Sequence, residues 1–440
     1  MALTEVAVER LRVGVFIHLD TPWMQHPFLT SKFKLRSEKQ LKVLRSLGVK
    51  LVQVDAERSD CAPWEPAEVP PPSPEVGLES ALDELAEETL AIAADPDLDA
   101  ETAALWEEKN QRIRKLKERR ARLNQCAKRY TTSVISARKL FPLLESMPGE
   151  ALRAANELVA GMIDELGADQ ETTVQLINLK HLEENSYFHA INVVALALVL
   201  GRELALNVRD LRLLGLGALF HDLGHQQLPS QILLKKGPFT RPELMLYRRH
   251  PAIGLQMAKR MPTLPRPVME IIGKHHEHLD GSGYPQGLRE QDLGMLTRVI
   301  SIVNRYDNLC NGFAARRGLS PHQAVSLMYA KEKSHYDGQV LSAFISCLGV
   351  YPPGTVVRLE DERLAVVTSV NRDDLAKPNV LVYAPDVPKE EAVILDLSEE
   401  ELGVRESLHV GALNQDQVEY LNVSDKLSYY FEKKKHGRRG

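Results

Sequence analysis

The sequence predicts a mainly α protein, a helical bundle with a small α/β N-terminal module ahead of it and a small β-rich C-terminal appendage behind it. Three observations predict this. Residues 135–350 place apolar side chains at helical spacing throughout, residues 1–60 alternate short β-like runs with turns, and strand-like runs begin after Tyr351-Pro352-Pro353-Gly354. At 440 residues the chain exceeds one ordinary core, so more than one domain is expected.

In the N-terminal module, Val13-Gly14-Val15-Phe16-Ile17 and Lys50-Leu51-Val52-Gln53-Val54 read as strands, and Ser37–Leu47 reads as a short helix. His18 and His26 have no partner at helical spacing and read as structural residues. Residues 61–134 form a linker and a charged helix. Pro63, Pro66, Pro70, Pro71, Pro72 and Pro74 stiffen its start, and acidic residues dominate from Glu75 to Glu101. From Ala103 to Tyr130 helix formers are dense and apolar positions few, which predicts a long, largely solvated helix. Its heptad pattern is too thin to favour a coiled coil. Its basic run is interleaved with acidic residues and lacks an aromatic platform, which excludes a nucleic-acid polymer as partner.

Within residues 135–350, Phe188–Leu198 reads as a buried helix with His189 and Asn192 on one face. Leu211–Leu223, Pro242–His250 with Ile253–Met261, Val268–His276 and Leu293–Leu309 continue the bundle. Residues 351–425 form the β appendage, through Thr355–Leu359, Ala365–Val370 and Val380–Tyr383. Residues 426–440 read as a basic tail, disordered at Lys433-Lys434-Lys435-His436-Gly437-Arg438-Arg439-Gly440.

Composition narrows the class. Hydrophobic residues are 44% and charged residues 26%, ordinary for a soluble globular protein, and the net charge of −5 gives no global attraction to nucleic acid or acidic membranes. Cys61, Cys126, Cys310 and Cys347 form no Cys-x-x-Cys pair and read as reduced thiols. The start lacks a signal peptide, and the apolar run Ile191–Gly201 contains Asn192 and is too short to span a bilayer. A cytoplasmic protein is expected.

The densest chemistry lies in His275-His276-Glu277-His278-Leu279-Asp280-Gly281-Ser282-Gly283-Tyr284-Pro285, where imidazoles and carboxylates run straight into a turn. A second doublet, His221-Asp222, sits in an apolar setting that penalises unpartnered charge. His189, His250 and Asp307 complete a dispersed His/Asp set of the kind that binds borderline-hard divalent metals. His221 and Asp222 point about 100° apart around a helix and so reach adjacent metals, with the Asp222 carboxylate suited to bridge them. His189, His250, His275, His276 and Asp307 then fill the remaining positions. Two divalent ions ~3.5–4 Å apart stabilise phosphoryl oxygens and favour in-line attack at phosphorus. Mixed imidazole and carboxylate donors favour iron or manganese over calcium.

His221-Asp222, with His275-His276-Glu277-x-x-Asp280-Gly281-x-Gly283-Tyr284-Pro285, resembles the HD-GYP family of cyclic di-GMP phosphodiesterases within the HD superfamily. The resemblance runs from about residue 183 to 348. It implies an HD-type helical bundle, a centre of iron or manganese, and hydrolysis of cyclic di-GMP through linear pGpG toward GMP. Carried over, the metal ligands fall on His189, His221, Asp222, His250, His275, His276 and Asp307, and the substrate loop on Gly283, Tyr284 and Pro285. The string Leu11-x-x-Gly14-x-x-x-x-x-Leu19-Asp20-x-x-Trp23, with His26-Pro27-Phe28 and Val54-Asp55, is similar to a small module found ahead of certain bacterial signalling phosphodiesterases. That module is the expected contact for other signalling proteins.

Departures from the family pattern lie around the substrate. The family commonly has lysine where His225 stands; His225 is expected to attract phosphate less and to protonate the leaving alkoxide. Asn185 replaces a glutamate of trimetal members, which favours two metals over three, and Phe313 replaces a basic residue while Arg316 matches a phosphate-binding arginine. Two other readings remain at this stage: a catalytically weakened cyclic di-GMP-binding or scaffold protein, and an HD hydrolase acting on another phosphate ester. Fold alone does not separate them.

Overall fold

The computed structural model describes residues 3–60 and 100–433, except 22–25, 29, 48, 57, 167–171, 178–185, 236, 262, 313–317, 386, 388–391, 393, 401 and 424–426. The chain divides into two compact units, Met1–Arg120 with Ala384–Val393, and Ala121–Tyr383 with Ile394–Gly440.

In the first unit, strands β1 (Leu3–Ala7), β2 (Phe16–His18), β3 (Lys32–Lys34) and β4 (Leu51–Asp55) form an antiparallel sheet in the order β1-β4-β2-β3. Ile17 pairs with both Val54 and Phe33 and is fully buried with Val6, Val52, Leu35 and Leu44. The helix Glu38–Ser46 begins at Ser37, whose hydroxyl accepts from the Gln40 amide. A charged helix was expected from Ala103 to Tyr130; the observed helix runs Ala100–Leu140. Lys109, on its first part, is buried, and its ammonium donates to the His26 carbonyl at 2.6 Å. The Pro-rich and acidic stretch 61–99 lies outside the described residues.

The second unit is the expected helical bundle. Its central helix, Ser186–Glu203, is buried nearly all round, through Ile191, Val193, Val194, Leu196, Leu198 and Leu200. Pro148–Leu166, Val208–Phe220, Met295–Asn311 and Gly338–Leu348 pack on it, Arg266–Lys274 packs on Val208–Phe220, and His250–Ala258 packs on Arg266–Lys274. Among the described residues, no helix is long and apolar enough to cross a membrane.

The β part differs from expectation in two places. Thr172–Ile177, expected to be helical, is a strand, β5; Ser428–Lys433, expected within the tail, is the strand that pairs with it, Tyr429 opposite Leu176 and Phe431 opposite Val174. The reason is chemical. Tyr429, Tyr430 and Phe431 form an aromatic run that favours a pleated surface, and all three are buried. Between these two in sequence lie β6 (Val356–Leu359), β7 (Leu364–Ser369), β8 (Asn379–Val382), β9 (Ile394–Asp396) and β10 (Val404–Leu408), with Ser428–Lys433 becoming β11. The described sheet has seven strands, in the order β10-β6-β7-β5-β11 with β8 also on β7 and β9 on β8.

Candidate metal centre

Helix ends deliver the donors. The Val208–Phe220 helix stops at His221, and Asp222 opens a tight turn over Leu223–Gln227. That turn lies directly against the start of the His250–Ala258 helix. A Cβ on Gly224 would sit 2.0 Å from the His250 carbonyl oxygen and 2.7 Å from the Gly254 nitrogen, so only glycine permits the approach. The Arg266–Lys274 helix ends at His275, which places His275 and His276 on the same point. His189 comes from the Ser186–Glu203 helix.

Two groups of donor atoms result, each with its members within 4.8 Å of one another: His189, His221 and Asp222, and Asp222, His250, His275 and His276. Asp222 belongs to both. Its Oδ2 lies 3.3 Å from His221 Nε2 and 3.6 Å from His189 Nε2, and its Oδ1 lies 3.2 Å from His250 Nε2 and 3.5 Å from His275 Nε2. Each oxygen therefore faces one group.

The donor set fits divalent metal on its proton inventory. His221, His250 and His275 each donate from Nδ1 to a backbone carbonyl, of Ala218, Tyr247 and Ile272. His189 donates from Nδ1 to Asp307 Oδ2 at 2.6 Å. Assigned from these partners, all four Nε2 atoms carry lone pairs. Yet His189 and His221 Nε2 face each other at 3.1 Å, and His250 and His275 Nε2 at 3.2 Å. Asp222 Oδ1 is buried and receives no hydrogen bond. Opposed lone pairs around a donorless carboxylate oxygen call for cations between them. Burial pushes His275 down to about 4 and His276 well below the usual range, so both are neutral, in keeping with this inventory.

Asp307, expected among the ligands, lies beside His189 and outside both donor groups. Its Oδ2 accepts from His189, and its Oδ1 accepts from Asn192 and Asn311, both at 2.9 Å. With both oxygens engaged it fixes the His189 tautomer and raises that ring's basicity. Asn192 and Asn311 are themselves held by the segment before β11. Both donate to the Leu427 carbonyl, the Leu427 amide donates to Asn311, and the Tyr429 amide donates to Asn192. The Tyr130 hydroxyl also donates to Asn192 Oδ1 at 2.9 Å. Asp307→Asn keeps the shape and removes the charge, so it is expected to weaken metal binding ~10–100-fold. Calorimetric titration with manganese(II) reads this.

The loop after His276 closes over the second group. A Cβ on Gly283 would lie 2.4 Å from the His278 nitrogen and 2.6 Å from the His276 carbonyl oxygen, so glycine is required there too. The Tyr284 ring stacks on His276, centroids 4.5 Å apart at 18°. Glu277, whose role the sequence reading did not assign, is buried and staples the loop by accepting from the Gln286 amide at 2.6 Å and the Leu288 amide at 2.9 Å. His278, Asp280 and His335 also cluster, but the two rings are parallel, 4.2 Å apart at 6°, so their in-plane lone pairs do not converge on one ion.

His225, expected as proton donor to a leaving alkoxide, lies beside Asp222. Its Nδ1 lies 3.4 Å from Asp222 Oδ2, its Nε2 is buried without a partner, and burial pushes the ring down to about 3. A neutral imidazole is a poor acid. Asn185, Phe313 and Arg316 lie outside the described residues.

Residues 164–340 match the family model described as HD domain, and residues 3–155 match one described as a domain of unknown function, DUF3391. A cyclic di-GMP phosphodiesterase of Pseudomonas aeruginosa is 32% identical over 387 residues, which cover 87% of this chain and 85% of that protein. The cyclic di-GMP phosphodiesterase response regulator RpfG of Xanthomonas campestris is 25% identical over 46% of this chain and 54% of its own. A 3'3'-cGAMP-specific phosphodiesterase of Vibrio cholerae is 29% identical over 41% of this chain and 42% of its own. Among solved structures, an HDG"Y"P protein from Bdellovibrio bacteriovorus aligns over 78% of this chain and 98% of its own, at 19% identity and a TM-score of 0.39. Sequence likeness that runs through both halves of the chain, on top of an intact His-Asp turn and Gly-Tyr-Pro loop, places this chain in the HD-GYP family of HD-domain phosphohydrolases.

Proposed function

We propose that the chain is a metal-dependent phosphodiesterase that hydrolyses cyclic di-GMP to linear pGpG and onward to GMP. The observation that carries this reading is the sharing of Asp222 between two donor groups, beside the loop of Gly283, Tyr284 and Pro285. His189 and His221 would hold one ion with Asp222, and His250, His275 and His276 with Asp222 would hold the other. Mixed imidazole and carboxylate donors favour iron(II) or manganese(II), and two ions. When bound, such a pair supplies Lewis-acid stabilisation of the phosphoryl oxygens and a nucleophile at neutral pH.

The chain's own residues prepare that site. The carbonyl partners of His221, His250 and His275 keep each Nε2 unprotonated and aimed inward. Stacking by Tyr284 limits rotation of the His276 ring. The Glu277 staple holds the loop's return segment, and with it the lip of the site. The N-terminal module is the proposed contact for other signalling proteins. The test is anaerobic purification with metal analysis, then chromatography of products after mixing with cyclic di-GMP and iron(II) or manganese(II). Full metal occupancy without pGpG or GMP sinks the reading.

The two groups are expected to lose metal at different pH. His189 is raised from the ordinary histidine value: burial acts to lower it, but the hydrogen bond and charge of Asp307 outweigh this. A raised pKa lets a proton compete for His189 Nε2 at higher pH. His275, pushed down to about 4, stays open to metal until far lower pH. Dialysis at stepwise lower pH, with metal analysis, should therefore show one ion per chain leaving well before the second. Loss of both together would contradict the assignment.

A further inference from the structure

We infer that Arg248 is a substrate-binding residue that takes the second, non-scissile phosphodiester of the cyclic dinucleotide at the mouth of the metal centre. The inference rests on the phosphodiesterase reading above and adds a residue to it. Arg248 caps the Arg241–Tyr247 helix, two positions before His250. Its guanidinium carbon lies 5.1 Å from the centroid of the Tyr284 ring, and that ring stacks on the donor His276. An aromatic face thus holds the cation next to the centre without consuming its hydrogen-bond donors. The side chain is exposed, and among the described residues no carboxylate pairs with it.

The other arginine that acts on Tyr284 is already neutralised: Arg305 is gripped by Glu332 through two hydrogen bonds of 3.0 and 2.5 Å. A cyclic dinucleotide carries two phosphodiesters, each with one negative charge, and the metal centre accounts for one. For the other, Arg248 offers, among the described residues at the lip of the site, an uncommitted fork suited to phosphate oxygens. A flat aromatic backing also keeps the guanidinium from swinging away into solvent.

The test compares the manganese-loaded full chain with R248A and R248K in steady-state kinetics on cyclic di-GMP and on bis(p-nitrophenyl) phosphate, which has a single phosphodiester. In R248A the KM for cyclic di-GMP is expected to rise ~10-fold or more, the scale of one charge-assisted contact, with a much smaller change in kcat. The ratio of the two substrates' KM values should rise with it, and R248K should recover part of the loss. Equal rises in KM for both substrates would place Arg248 on the scissile phosphate and overturn the inference. An unmoved KM for cyclic di-GMP would overturn it as well. Wild-type turnover is read first: failure to cleave cyclic di-GMP while bis(p-nitrophenyl) phosphate is cleaved sinks the substrate reading and this inference with it, whereas normal wild-type turnover with an indifferent R248A sinks the inference alone.

Discussion

Asp222→Ala is expected to abolish turnover and to leave the protein with at most one metal ion per chain. Asp222 is the only residue common to both donor groups, with Oδ2 facing His189 and His221 and Oδ1 facing His250 and His275. Its removal deletes the negative charge on which four imidazoles converge. Cations there would then repel each other across neutral rings, and each group would keep too few donors to compete with water. Asp222→Asn is the finer probe, because it preserves volume while removing charge and one acceptor. Metal analysis by mass spectrometry reads both variants, and circular dichroism checks that the bundle survives. Two ions retained in Asp222→Ala would contradict a shared carboxylate.

Gly224→Ala is expected to cost nearly as much activity although it changes no donor. The added Cβ would lie 2.0 Å from the His250 carbonyl oxygen, which belongs to backbone and has no rotamer to escape through. The turn must lift off the His250–Ala258 helix, carrying Asp222 away from His250 and His275. A misplacement of ~1 Å in a positioned group costs ~10²-fold in rate, and overpacking of this kind costs ~1–3 kcal/mol in stability. Turnover and thermal midpoint should therefore both fall, with activity falling further than stability explains. A variant with normal activity would mean the turn reaches Asp222's position by another path.

The donors were legible in the sequence because most of them come as doublets at helix ends. His221-Asp222 and His275-His276 each put two ligating side chains at the point where a helix stops, so local spacing already gives the geometry. Asp307 was harder. Whether a carboxylate binds metal or backs a histidine depends on which of its oxygens face Asn192 and Asn311, and that is settled only by packing. Glu277 was missed in the same way, since the amides it accepts from, Gln286 and Leu288, belong to the loop's return. Val174 and Ile177 fit a helical stripe, while the strand uses the alternation of the same segment, and a run this short does not decide between them. The lysines near the end of the chain drew attention from the aromatic residues just before them, which are the ones that set its structure.

The bonds from Leu427 and Tyr429 to Asn192 and Asn311 also set a schedule for the ribosome. Asn192 and the Tyr429 amide that binds it are 237 positions apart, so the brace behind His189 and Asp307 closes only after residue 429 has emerged. Domains form as units during synthesis at ~5–20 residues per second, and contacts this far apart in sequence form late. A nascent bundle without β11 holds its histidines in place on their own helices but leaves the Asp307 brace open. A chain cut short before Tyr429 is expected to collapse around its apolar helices and to bind metal poorly.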